Sequence, residues 1–206
     1  MQSGQKNHLK GDAPGERMAE KIFAGEAARG RRRIKEAMHI RPTEPGDIPA
    51  IEKIYQKARK YMAESGNPDQ WGKDWPPIGL IREDMARGES FVCCERGELL
   101  ATFMFGDGPE PLYENDGADW LNDLPYTVVH RIASSGIHRG VGAFCLGWCA
   151  ERSGNIRIDS HSANAPMRTL LLRSGYQMCG QTVARDGTPR IAFQRFDEET
   201  YKRRGR

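Results

Sequence analysis

The chain has 206 residues, a formal net charge of +3 and 38% hydrophobic residues, enough for one domain of about 150–170 residues with a sizeable core, plus a tail. So small a positive excess, much of it at the two ends, does not argue for nucleic acid. There is no run of about 18 apolar residues to span a membrane and no apolar signal-peptide core at the N-terminus. The five cysteines, Cys93, Cys94, Cys145, Cys149 and Cys179, have neither a disulfide-framework nor a zinc-pair spacing, which fits reduced thiols and a cytoplasmic location. Cys145 and Cys149 stand one helical turn apart and could hold a metal; buried structural thiols are the favoured reading, and no metal is expected.

Residues 1–37 are rich in Gly, Arg, Lys and Glu and poor in large apolar side chains, so they are expected to form a disordered basic extension. Within them Arg29-Gly-Arg-Arg-Arg-Ile-Lys35 could be a phosphate- or nucleic-acid-binding arm. The preferred alternative is translated purine-rich leader ahead of a start near Met38, which would give this same mixture. The folded domain is expected over 38–196, with a basic tail over 197–206.

His39-Ile-Arg-Pro42 reads as a short strand stopped by proline. Gly46-Asp47 opens a helix carrying Ile48, Ile51, Ile54, Tyr55, Ala58 and Met62 on one stripe, with Asp47 as N-cap. Residues 65–77 are dense in helix and strand breakers yet contain Trp71 and Trp75, which either cap the core or wall a pocket. A second helix over 78–87 ends at Gly88. Strands at 91–95 and 99–105 then form a hairpin across Arg96-Gly97-Glu98. The acidic loop 106–126 carries Tyr113, Trp120 and Tyr126, and loops of that length are usually functional or disordered.

Residues 127–134 have apolar side chains on both faces, as a central covered strand should. They lead into Arg139-Gly140-Val141-Gly142, where glycines let backbone N–H groups approach an anion at a helix start. The helix over 140–152 points Val141, Cys145, Trp148 and Cys149 inward. A strand at 156–161 puts Arg157, Asp159 and His161 on one face. Asn164 caps a helix with Met167, Leu170 and Leu171 inward, closed by Gly175. A terminal hairpin, 176–183 and 190–196, turns at Asp186-Gly187. The order β-α-α-β-β-β-α-β-α-β-β predicts a mixed α/β domain.

Over about residues 38–196 the chain resembles the GNAT superfamily of acetyl-CoA-dependent N-acetyltransferases. The resemblance rests on that element order, on the strand leading into Arg139-Gly140-Val141-Gly142, and on Asn164-x-x-Met167-x-x-Leu170-Leu171-x-x-x-Gly175-Tyr176. It implies a mostly antiparallel, twisted sheet of six or seven strands, splayed in the middle, with helices on both faces. It further implies acetyl-CoA as cofactor, with the pyrophosphate on Arg139, Gly140, Val141, Gly142, Ala143 and Phe144, and the pantetheine arm along Ile132, Ala133 and Ser134. Asn164 matches the coenzyme-contacting asparagine; a plain N-cap is the equal alternative. Phe144 stands where Gly or Ala is usual, and Leu171 where many relatives carry an acid tyrosine.

The activity so implied is acetyl transfer to a primary amine of a small molecule or an exposed amino group. The candidate bases are Asp159 and His161, with His130 third, each weighed against a structural role. Trp71, Trp75, Tyr113 and Trp120 are expected to border the acceptor. A non-catalytic acyl-CoA sensor is the alternative, supported by Leu171. No membrane and no nucleic-acid partner are expected, and the assembly is left open between monomer and homodimer.

Overall fold

Among the described residues, seven strands form one sheet in the order β1-β2-β3-β4-β5-β7-β6: β1 (His39–Pro42), β2 (Ser90–Glu95), β3 (Glu98–Asp107), β4 (Thr127–Ser134), β5 (Asn155–His161), β6 (Gln177–Val183) and β7 (Pro189–Phe196). The helices are α1 (Ile48–Glu64), α2 (Ile78–Ala86), α3 (Val141–Ser153), α4 (Ala165–Arg173) and α5 (Glu198–Arg203). This computed structural model describes residues 38–114, 117–184 and 187–205. The expected extension over 1–37, with its basic arm, and Asp186 of the last hairpin turn lie outside the described residues. No described helix is long and apolar enough to cross a membrane.

Strand alternation decides which helix covers which face. Val92 and Cys94 of β2 join the buried cluster of Ile48, Ile51, Ile54 and Tyr55 from α1 and Ile81 from α2. Their neighbours in β2 turn the other way: Phe91 lies 5.0 Å from the ring of Trp148 on α3, which also meets Phe103 and Phe105 of β3. The sheet is thus covered on both sides, as period-two apolar residues on both faces require. Cys145 and Cys149 are buried in this second layer. Asp47 stands at the N-cap of α1 but makes no capping bond there. Its carboxylate instead accepts from Arg41 at 2.6 and 2.8 Å and from the Glu44 N–H.

A further helix stands where a tail was expected. Asp197 caps α5 by accepting from the Thr200 N–H, Glu198 and Glu199 fill its first turn, and Lys202 and Arg203 its last, in the sense the helix dipole favours. Tyr201 is buried and meets Phe196 at 5.6 Å.

Two irregularities of β4 shape the middle of the sheet. All neighbouring pairs are antiparallel except β4 and β5, which run parallel and pair only at Thr127↔Ile156 and Val128↔Arg157. Beyond Val128 the two strands diverge, although each continues for several residues. Against β3, the register slips between Thr102↔Ala133 and Met104↔His130, so β4 carries one extra residue. The bulge falls at Arg131, which has φ of +54°, a conformation costing a non-glycine residue about 1–3 kcal/mol. Tyr55 holds it by donating to the Arg131 carbonyl at 3.2 Å, and Asp84 by an ion pair with the Arg131 guanidinium at 2.5 Å.

The long loop after β3 is held to the sheet by buried amides. Asn155 and Gln194, both fully buried, are hydrogen-bonded to each other at 2.7 Å. Asn155 Nδ2 also donates to the Pro125 carbonyl and Asn122 Oδ1, while Gln194 Oε1 accepts from the Leu121 N–H at 2.8 Å. Asn155→Ala strands several of these groups without partners, and a buried unsatisfied group costs about 1–3 kcal/mol. A lower thermal midpoint is therefore expected; an unchanged melt would show that the loop is held elsewhere.

Candidate active site

Where β4 and β5 separate, a cavity of about 400 Å³ opens. The α1–α2 loop contributes Asp69, Trp71 and Trp75 to its wall, the bulged strand contributes His130, Arg131 and Ile132, and β5 contributes Asp159 and Ser160. Gln70, Glu110, Asn164 and Arg190 add polar groups to the lining, and Met62 and Met167 add sulfur.

A connected set of ionisable groups lies on this wall. His130 Nε2 is 3.1 Å from Glu110 Oε2, and His130 Nδ1 is 3.9 Å from Asp159 Oδ1. Asp159 Oδ1 in turn accepts the Tyr113 hydroxyl at 2.5 Å. If Nε2 carries the proton donated to Glu110, Nδ1 is free to accept one, which is the arrangement of a general base oriented by a carboxylate. The Tyr113 phenol is pushed well above its ordinary pKa by burial first and by the Asp159 charge second. It therefore remains a hydrogen-bond donor that fixes Asp159. Tyr113→Phe is expected to lower kcat about tenfold, a modest part of what acid–base groups contribute, with ligand affinity unchanged; equal kcat would remove Tyr113 from the positioning of Asp159.

The structure brings together two of the three expected bases. Asp159 and His130 share the cavity, whereas His161 is not among its lining residues, and its Nδ1 accepts the Ala163 N–H at 3.1 Å. Asp159 and His161 do alternate onto one strand face, but β5 ends at His161 and the chain turns there toward α4. Both expected roles of the tryptophan loop hold at once for Trp71: it is buried, edge-on to Tyr55 at 5.5 Å, and it lines the cavity with the more exposed Trp75. Tyr113 and Trp120 border an adjoining hollow of about 450 Å³ instead, together with Tyr126 and Arg157.

The glycine-bearing turn before α3 is not part of that lining. Gly140 has φ of +86°, and a Cβ built on it would meet nothing within 4 Å. The first bond of this helix runs from the Phe144 N–H to the Gly140 carbonyl, so the N–H groups of Val141, Gly142 and Ala143 have no acceptor within it. Arg139 is exposed beside them. Gly142 has a packing reason as well, since a Cβ there would come 2.9 Å from Leu170 Cδ2. His138 faces Glu95 at 3.2 Å. Asn164 caps α4 by accepting the Met167 N–H at 3.2 Å and donates to Gln70 at 2.9 Å.

Sequence reasoning missed Glu110, Ser160 and Arg190. Glu110 had a faint signal, a carboxylate between Pro109 and Pro111 in a long loop. Ser160 and Arg190 read only as ordinary strand residues.

A crystal structure of a GNAT-family acetyltransferase from Streptococcus agalactiae is 33% identical to this chain, with a TM-score of 0.72, and the match covers 78% of this chain and 96% of that one. The chain belongs to the GNAT family of acetyltransferases. The same fold recurs in a GNAT-family acetyltransferase from Listeria monocytogenes at 19% identity and TM-score 0.58, covering 77% of this chain and 94% of the other. It recurs again in a Salmonella typhimurium protein solved with acetyl-CoA, at 20% identity and TM-score 0.50, covering 79% and 95%. No family model and no curated protein matches the sequence. In this GNAT chain the sheet is the expected splayed one, with all seven strands present and the opening between β4 and β5.

Proposed function

We propose that this GNAT domain moves an acetyl group from acetyl-CoA to a primary amine of a small molecule or an exposed amino group. The observation that carries the reading is the adjacency of two features: β4–β5 pairing stops at Val128↔Arg157, and the Glu110–His130–Asp159 set lines the space so opened.

The residues present fit the coenzyme. Beyond the last β5 partner, the backbone of Ile132, Ala133 and Ser134 can receive the amides of a pantetheine arm as an added strand. The unpartnered N–H groups of 141–143 suit a pyrophosphate, because a helix start concentrates donors and positive potential there. Gly140 leaves the space in front of them clear. Bound there, the coenzyme supplies an acetyl thioester, an acyl group activated toward a neutral amine.

The chain's own groups do the rest. An amine near neutral pH is mostly protonated, so it must lose a proton before it can attack. His130, held by Glu110, is placed to take that proton, and Asp159, held by Tyr113, provides negative charge beside the resulting imidazolium. Trp71 and Trp75 wall the acceptor side and limit water. Leu171, fully buried, offers no proton at the place where the resemblance expects a tyrosine.

Incubating the protein with acetyl-CoA and a panel of primary amines, and following free thiol, tests the reading. Amine-dependent release is expected; tight acetyl-CoA binding with no release for any amine would favour the sensor.

A further inference from the structure

Arg190 is the least explained charge in the cavity. It sits on β7 opposite His161 of β5 and Thr182 of β6, is only 7% exposed, and lines the same space as His130 and Asp159. Taking a guanidinium out of water costs several kcal/mol unless a partner compensates, and the other cavity arginine obeys that rule: Arg131 meets the buried Asp84 carboxylate. The buried Arg157 is likewise provided for, between the rings of Trp120 and Tyr126 and bonded to the Asn122 carbonyl. Arg190 has no such partner among the described residues; its Nε, like those of Arg131 and Arg157, is buried without a hydrogen bond.

The cavity lining thus carries Glu110 and Asp159 around the imidazole of His130 and, on β7, a guanidinium with no ion-pair partner among the described residues. A guanidinium presents a planar fork of donors that matches a carboxylate in two parallel hydrogen bonds. We propose that the acceptor is a small amino carboxylate, with Arg190 receiving its carboxylate and the amine directed to His130. This rests on the acetyl-transfer reading and adds to it the substrate class. Trp71 and Trp75 would then meet the acceptor's side chain.

The test uses the full chain with acetyl-CoA and the natural amino acids, each beside its own C-terminal amide and its decarboxylated amine, with thiol release as readout. For the preferred amino acid, kcat/KM is expected to exceed that of both analogues by about tenfold or more, because the analogues leave a buried donor unpaired. Arg190→Met should collapse that ratio toward one, mainly through KM, and Arg190→Lys should restore part of it. The melting temperature of Arg190→Met should stay level or rise, since the variant removes an uncompensated buried charge. Amides and amines used as well as the acids would overturn the inference and leave acetyl transfer standing. A lower melting temperature with all acceptors slowed alike would give Arg190 a structural role and also overturn it. No thiol release with any amine would remove the acetyl-transfer reading, and the inference with it.

Discussion

His130→Ala is expected to lower kcat by about a hundredfold to ten-thousandfold, the range that positioned acid–base groups contribute, while acetyl-CoA affinity and thermal stability remain near those of the unaltered chain. The reason is geometric. His130 stands one residue before the β4 bulge, where the strand has already left β5, so its ring faces the opening between the strands. The ring lies between two carboxylates, 3.1 Å from Glu110 and 3.9 Å from Asp159. Removing the imidazole leaves these carboxylates in a cavity that already contains solvent-accessible space, so the fold should tolerate the loss. His161→Ala serves as the internal comparison, because that ring caps the turn after β5 through the Ala163 N–H and is not among the cavity-lining residues. Steady-state kinetics with a single acceptor separate the two. A large fall for His161→Ala with little change for His130→Ala would reverse the assignment.

Ala143→Glu should weaken acetyl-CoA binding by about tenfold to a hundredfold, which corresponds to about 1.4–2.7 kcal/mol, without unfolding the domain. Ala143 is exposed in the first turn of α3, among the N–H groups that precede the first intrahelical bond. A carboxylate there suits the helix dipole and can itself occupy those donors. It would thus stabilise the helix start while repelling a pyrophosphate. Gly142→Trp, the obvious steric block, is a poorer probe because even a Cβ at 142 approaches Leu170 Cδ2 to 2.9 Å and disturbs α3–α4 packing. Calorimetric titration with acetyl-CoA, run beside a thermal melt, checks the expectation. Unchanged affinity in a folded variant would place the phosphates elsewhere.

The elements of the fold were legible where local chemistry and burial agree. The α1 stripe of Ile48, Ile51, Ile54 and Tyr55 is buried as its spacing requires, and Gly140 stands at the helix start that the glycine-bearing turn marked, in a left-handed conformation that glycine adopts freely. Residues 197–206 were read as a basic tail, although Asp197-Glu198-Glu199 ahead of Lys202-Arg203 are helix-end signals; the buried Tyr201 that ties α5 to β7 is a tertiary contact. The site was legible only in part. Asp159 and His130 lie on strands whose alternation can be read directly. Glu110 meets His130 in a stretch of loop held by distant partners, its N–H donating to the Tyr126 hydroxyl and the nearby Tyr113 donating to Asp159 of β5, a tertiary arrangement no local pattern encodes. The same holds for Arg190, whose significance comes from its having no ion-pair partner among the described residues and not from its neighbours in sequence.

A crystal structure of the chain soaked with acetyl-CoA tests the central claim most directly. The account predicts the pantetheine arm hydrogen-bonded along Ile132 to Ser134, the pyrophosphate on the amides of 141–143, and the thioester carbon at the wall formed by His130 and Asp159. A coenzyme bound outside the β4–β5 opening, or a thioester remote from both side chains, would contradict it.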